Sequence, residues 1–193
     1  MRFFRLSVVA GIVIPGLLLN GCSDDMESPQ KTARTHSGEA TIETTTLGNT
    51  RNVHKFGDVY FAGQPSEADF EEVKKAGVKT VINLRMPNEV SWDEKQVVND
   101  LGMVYHNIPF DSPDLLTDVL FDELRGLLNK TENQPVMLHC ASANRVGAMW
   151  LAYRAVDGGL SYKDALDEAK TVGLRSKSLE VKAKDYIERH KFE

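Results

Sequence analysis

The sequence predicts an α/β domain built on a central, mostly parallel sheet of about four to five strands flanked by helices. Three observations predict it. From residue 58 onward, short β-branched or aromatic runs alternate with amphipathic stretches of helical period. The run 135–140, PVMLHC, is apolar almost throughout, as a strand buried on both faces must be. The chain has 193 residues, 41% of them hydrophobic and 26% charged, enough for one medium domain with a real core.

The elements follow in order. DVYFAG (58–63) reads as a strand. Ser66 is placed to cap a helix running to Ala76, with Phe70 and Val73 inward and Gly77 as its stop. KTVINLR (79–85) is a β-branched strand ending in a polar loop, and 91–101 is a helix. MVYHNIPF (103–110) is the next strand. Ser112 and Pro113 predict the start of a helix, because serine caps and proline suits a first turn. Leu116, Leu120, Leu124 and Leu127 carry its apolar stripe to Lys130. After PVMLHC, residues Val146, Met149, Trp150, Tyr153 and Val156 keep helical spacing until Gly158 and Gly159. Ser161 and Asp164 form a capping pair for a helix ending near Gly173, and a last helix covers 178–190.

The N-terminal part is different. Arg2 and Arg5 precede an apolar run, 6–19, of 14 residues, which is too short to span a bilayer and fits a signal-peptide core. LLNGC (18–22) resembles the cleavage box of a bacterial lipoprotein signal. That resemblance implies removal of residues 1–21, lipid on Cys22 and a periplasmic protein anchored by lipid to the membrane. Ser23 implies, in such proteins, sorting to the outer membrane. Residues 22–51 are polar and rich in Ser, Thr, Asp and Glu, and read as a flexible tether, within which TIETTTL (41–47) could pair as a strand, ahead of a domain at 52–193. The formal charge of −5 becomes more acidic once Arg2 and Arg5 are removed, which argues against nucleic-acid binding. There are two cysteines. With Cys22 lipidated, Cys140 is a lone thiol with no disulfide partner.

Cys140 ends a strand and Arg145 opens a helix, with Ala141, Ser142, Ala143 and Asn144 between them. Free N–H groups of such a loop and first helical turn point at whatever lies over the sulfur, and they favour thiolate, as do Arg145 and a charged His139. The small loop residues allow backbone amides close to a ligand. Arg145 offers a planar fork for two oxygens of an oxyanion. Ligands of open α/β sheets bind at the carboxyl ends of strands, and loops leave such ends at Arg85, Asp111 and Cys140. Each residue alone also fits a plainer role: Cys140 a small core residue, Arg145 a first-turn arginine, His139 a hydrogen-bonded core histidine. Together on one turn they point to a site for a tetrahedral anion. Phosphoryl transfer through cysteine also needs an acid for the leaving group. Asp114 falls in the first turn of the expected helix, where a carboxylate complements the dipole, whereas Asp111 has no such duty. Asp111 is therefore the candidate acid, with a solvated loop aspartate as its plainer reading.

The stretches FAGQPSEADFEEVKKAGVKTVINLR, IPFDSPD and MLHCASANRVG resemble the beta-lactamase-hydrolase-like phosphatase family, a bacterial branch of the dual-specificity and tyrosine phosphatase superfamily. The resemblance covers about 53–172. It implies a tyrosine-phosphatase-like fold and hydrolysis of a phosphorylated small molecule or protein, without metal or cofactor. In it Cys140 is the nucleophile, Arg145 the holder of the phosphoryl oxygens and Asp111 the general acid and then base. His139, 141–144 and Arg85 would bind substrate. The chain departs from the superfamily pattern in three places. The Cys-to-Arg loop is one residue short, Ala143 stands where a glycine is usual, and Val146 replaces a hydroxyl residue after the arginine. A loop of this length is also found in rhodanese-type sulfurtransferases, which carry a persulfide. A non-catalytic anion-binding module is the third reading.

Overall fold

The computed structural model describes residues 40–191. The expected signal, Cys22 and most of the expected tether lie outside the described residues. Six short strands form one sheet: β1 (Glu43–Thr44), β2 (His54–Phe56), β3 (Val59–Ala62), β4 (Thr80–Asn83), β5 (Val104–Asn107) and β6 (Val136–His139). Their order is β1-β2-β3-β6-β4-β5. The four strands β3, β6, β4 and β5 are parallel, as the strand–helix alternation requires, and β1 and β2 add an antiparallel edge. The sheet thus exceeds the expected four to five strands. The added pair begins at Glu43, so the tether does not extend to residue 51. Leu47 and Val53 are buried, and the Asn49 N–H bonds the Asp69 carboxylate at 2.7 Å.

Alternation along the strands divides the core into two layers. Val81 and Met137 face α1 (Asp69–Lys75) and α2 (Glu94–Asp100), meeting Phe70, Val73 and Val98. Phe61, Ile82 and Leu138 face α3 (Asp118–Leu128), α4 (Asn144–Val156), α5 (Tyr162–Val172) and α6 (Lys177–His190). Trp150 of α4 packs edge-on against Phe61, with ring centroids 4.6 Å apart.

Register aligns the carboxyl ends. His139 pairs with both Ala62 and Asn83, and Asn83 with Asn107. The chains leaving β3, β4, β5 and β6 therefore start side by side at one edge, with β6 central.

Two helices start later than their cap signals predict. Ser66 caps the start of α1 reciprocally with Asp69: the Asp69 N–H donates to the Ser66 hydroxyl (3.2 Å), the Ser66 N–H and hydroxyl donate to the Asp69 carboxylate (3.0 and 2.7 Å), and the regular helix begins at Asp69. The helix expected from Ser112 begins at Asp118. Burial of both Phe110 and Leu116 holds the intervening chain in turns, Leu115 N–H to Ser112 and Leu116 N–H to Pro113. Asp114 is thus not in a helical turn, and the dipole explanation for it fails.

Candidate active site

Cys140 follows β6 directly, is 1% exposed, and bonds through its N–H to the Ala62 carbonyl at 3.3 Å. Since α4 begins at Asn144, only residues 141–143 form the loop. Such a tight turn needs one left-handed residue, and Ala143 supplies it at φ 66°. Among the described residues, the N–H groups of Ala141, Ser142, Asn144 and Arg145 have no protein acceptor. They are the unpaired donors that a helix start leaves, beside a sulfur.

Other segments hold the loop. The Asn144 side-chain oxygen accepts from the N–H groups of Arg175 (2.7 Å) and Ser176 (3.0 Å). Arg175 donates to the Ser142 carbonyl (3.2 Å) and hydroxyl (3.0 Å), and Asn52 also donates to that carbonyl. Gly173 lies against Ala143 so closely that a Cβ there would sit 3.0 Å from the alanine methyl.

Arg145 is fixed along one edge. Its Nη1 donates to Glu89 Oε1 (2.7 Å), the Phe110 carbonyl (2.7 Å) and the Leu84 carbonyl (3.2 Å), and its Nη2 to Glu89 Oε2 (2.7 Å). A guanidinium has five N–H groups. The Nε–H and one Nη2–H remain, and they form the opposite edge of the fork. Burial works against the charge of Arg145, but Glu89 and Cys140 outweigh it and hold its pKa above the ordinary arginine value. The hydrogen bond from Arg145 likewise pushes Glu89 down to about 2, against burial and with help from the Met86 N–H and Arg85.

A cleft of about 260 Å³ opens over Cys140. Ala141, Ser142, Asn144 and Arg145 line it from the loop and α4, Glu89 and Asp111 from the neighbouring strand ends. Pro113, Ser176 and Leu179 complete its wall. Asp111 is exposed and shares this cleft with Cys140 and Arg145. Asp114 instead lines a second groove with Asp118, Lys182 and Arg189.

Three residues expected to bind substrate, His139, Arg85 and Ala143, do not line the cleft. His139 is fully buried and its Nε2 lies 2.9 Å from Glu94 Oε1, the plainer role of a core histidine. The alternation that points Cys140 to one core layer sends its neighbour to the other. Arg85 turns its guanidinium onto Glu89 and onto Gln64 Oε1 (2.6 Å), so it braces Arg145 from behind. Ala143, at the end of the loop, is buried with its side chain in the core. Burial pushes the Glu94 carboxyl up, and His139, Gln64 and Arg85 together bring it below its usual range. Sequence reading missed Glu89 and Glu94 as site residues. Glu89 sits in a one-turn helix after an unremarkable Pro87-Asn88, with no spacing to signal it.

No protein-family model matches the chain. Over 118 residues it is 31% identical to the Beta-lactamase hydrolase-like protein of Agrobacterium fabrum. That match takes in 58% of this chain and 27% of the relative, so the chain spans about a quarter of that protein's length. Its fold matches solved phosphatase structures. Tk-PTP superposes with a TM-score of 0.64 at 19% identity, over 79% of this chain and 98% of that one. TpbA of P. aeruginosa in complex with pTyr gives 0.60 at 20%, over 79% and 91%. The Siw14 catalytic core gives 0.61 at 16%, over 75% and 88%. The sheet and its helices are tyrosine-phosphatase-like, as the sequence resemblance implied.

Proposed function

We propose that the chain is a cysteine-dependent phosphatase that hydrolyses phosphate monoesters of a small molecule or protein through a phosphocysteine. The observation that carries this reading is the unused Nε–Nη2 edge of Arg145 in the same cleft as Cys140 and four unpaired amides. A phosphate dianion needs several donors and a guanidinium, and these are present together. Its terminal oxygens take the free edge of Arg145 and the loop N–H groups. The Cys140 thiolate attacks phosphorus. An S–P bond forms as the P–O bond to the leaving group breaks, and Asp111 gives its proton to the departing oxygen. Water then attacks the phosphocysteine while Asp111 takes a proton from it, the S–P bond breaks, and phosphate leaves. Val146 is buried and has no hydroxyl to offer the returning thiolate, so Arg145 and the amides carry that task.

Purified protein in the presence of a chelator should release phosphate from an aryl phosphate. Cys140→Ser should abolish release and Arg145→Ala should slow it on the order of 100-fold. Equal rates in wild type and Cys140→Ser would sink the reading. The three-residue loop favours a second one, sulfur transfer, because a persulfide brings less charge and needs fewer donors. Thiocyanate formation from thiosulfate and cyanide that depends on Cys140, with no phosphate release, would reverse the choice. The first 22 residues support a further part of the proposal: lipid on Cys22 holds the protein in the periplasm at the outer membrane. Metabolic labelling with a fatty acid that survives Cys22→Ala would rule the anchor out.

A further inference from the structure

Two side-chain contacts made by carboxylates flank Cys140. On one side Glu89 grips Arg145 through both carboxylate oxygens at 2.7 Å. On the other, Glu94 is bonded to His139, the residue before Cys140. Gln64 lies between them. Its Oε1 accepts from Arg85 Nη1 at 2.6 Å, and Arg85 in turn bonds the Glu89 carboxylate and carbonyl. Its Nε2 donates to Glu94 Oε2 at 2.6 Å. These two bonds fix which way the amide points. The main chain of the same residue reaches the catalytic loop, since the Gln64 N–H points to the Ala141 carbonyl at 3.4 Å and Gly63 bridges to Ser142.

We propose that Gln64 is a positioning residue that sets Arg145 and His139 from one amide. The proposal rests on the phosphatase reading for its kinetic test but not for its binding test. The chemistry of the gap explains the residue type. A carboxylate there repels Glu94, a cation repels Arg85, and a hydrocarbon leaves a buried donor and a buried acceptor unpaired. A primary amide accepts at one end and donates at the other. A protonated carboxylic acid does the same for these two partners, with C=O toward Arg85 and O–H toward Glu94, and gives up only the bond from the amide to the Pro65 carbonyl (3.0 Å).

That equivalence supplies the experiment. Gln64→Leu should lower kcat/KM on the order of 10- to 100-fold, the scale for loosening a charge clamp from behind. It should also weaken the protection that inorganic phosphate gives Cys140 against alkylation. Gln64→Glu should be impaired at pH 7.5 and regain activity relative to wild type as pH falls towards about 5.5, as two adjacent carboxylates come to share a proton. The charged and titratable groups around position 64 are Arg85 and Glu94 in contact, Glu89 and His139 one bond further, and Tyr105, whose hydroxyl is pushed up to about 12 and stays neutral throughout. A merely structural glutamine predicts lost stability with no such pH-dependent recovery. A flat Gln64→Glu to wild-type ratio across pH overturns the proposal, as does wild-type phosphate protection in both variants. Should the wild type turn over no phosphate ester, weakened protection in the Gln64 variants still upholds the positioning role while the phosphatase reading falls. If Gln64→Leu does not fold, the pH ratio of Gln64→Glu decides.

Discussion

A methyl group added at Gly147 by substitution to alanine would sit 2.6 Å from the Leu174 nitrogen, 2.7 Å from the Ala169 carbonyl oxygen and 2.7 Å from Leu174 Cβ. Ordinary carbon contact starts at about 3.5 Å, so α4 and the end of α5 must separate by roughly 0.8 Å. Two of the three obstacles are backbone atoms, and they are the partners of the 2.9 Å hydrogen bond from Leu174 N–H to Ala169 that closes α5. No rotamer change relieves the clash. Alanine gains about 1 kcal/mol over glycine inside a helix. Overpacking costs about 1–3 kcal/mol, and rigid obstacles put this site at the upper end. The net expectation is a loss of about 1–2 kcal/mol, or about 4 °C in Tm for a domain of this size. The shift also carries Gly173 away from Ala143 and Ser176 away from Asn144, so phosphate protection of Cys140 should weaken as well. Urea unfolding followed by circular dichroism, with an alkylation assay on the folded protein, measures both. An unchanged or higher urea midpoint would refute the inference that this glycine sets the spacing of α4 and α5.

Three other expectations are testable together. Glu89→Gln keeps the shape but not the charge facing Arg145, and turnover of an aryl phosphate should fall on the order of 10-fold. Because the folded pKa of Glu89 is about 2, below its ordinary 4.5, the stability it lends is complete above about 4.5 and lost as pH falls towards 2. The stability gap between wild type and this variant should close over that window, and a gap unchanged by acid would contradict the ion pair. Glu94→Leu strands the buried His139 and the Gln64 amide and should cost about 1–3 kcal/mol by urea unfolding, more than loss of a surface carboxylate. Asp111→Asn should slow hydrolysis of alkyl phosphates much more than that of nitrophenyl phosphate, whose leaving group needs little protonation. Equal slowing of both would remove Asp111 as the acid.

What could be read from the sequence was whatever the chain keeps contiguous. Cys140, the loop and Arg145 lie within six residues, so strand, turn and helix signals place them without any tertiary knowledge. Strand–helix alternation carried the parallel core in the same way. The bracing of Arg145 was not readable, because Glu89 meets it, and Gln64 meets Arg85 behind it, only through the order β3-β6-β4, which places distant strand ends side by side. Position along a strand decides burial, and that is why His139 and Arg85 were expected in the cleft and are found behind it. At Ser112 a strong local cap signal lost to the burial of Phe110 and Leu116, and the turns that result bring Asp111 and Pro113 to the cleft wall. The polar composition before residue 51 left TIETTTL (41–47) as a weak strand signal inside an expected tether, and the burial of Leu47 is what joins it to the domain.

The bonds from Asn144 and Ser142 to Arg175 and Ser176 bear on the order in which the protein is made. Synthesis runs from the N-terminus, so the cysteine loop leaves the ribosome well before the connection between α5 and α6 that anchors it. Until Gly173 arrives, Ala143 has nothing to lie against in its left-handed conformation, and Asn144 has no donors to receive. The sheet can pair while the loop waits. The loop that the proposed function needs is therefore completed late, and a copy cut short before Gly173 would keep a strand-end thiol with none of these anchors around it.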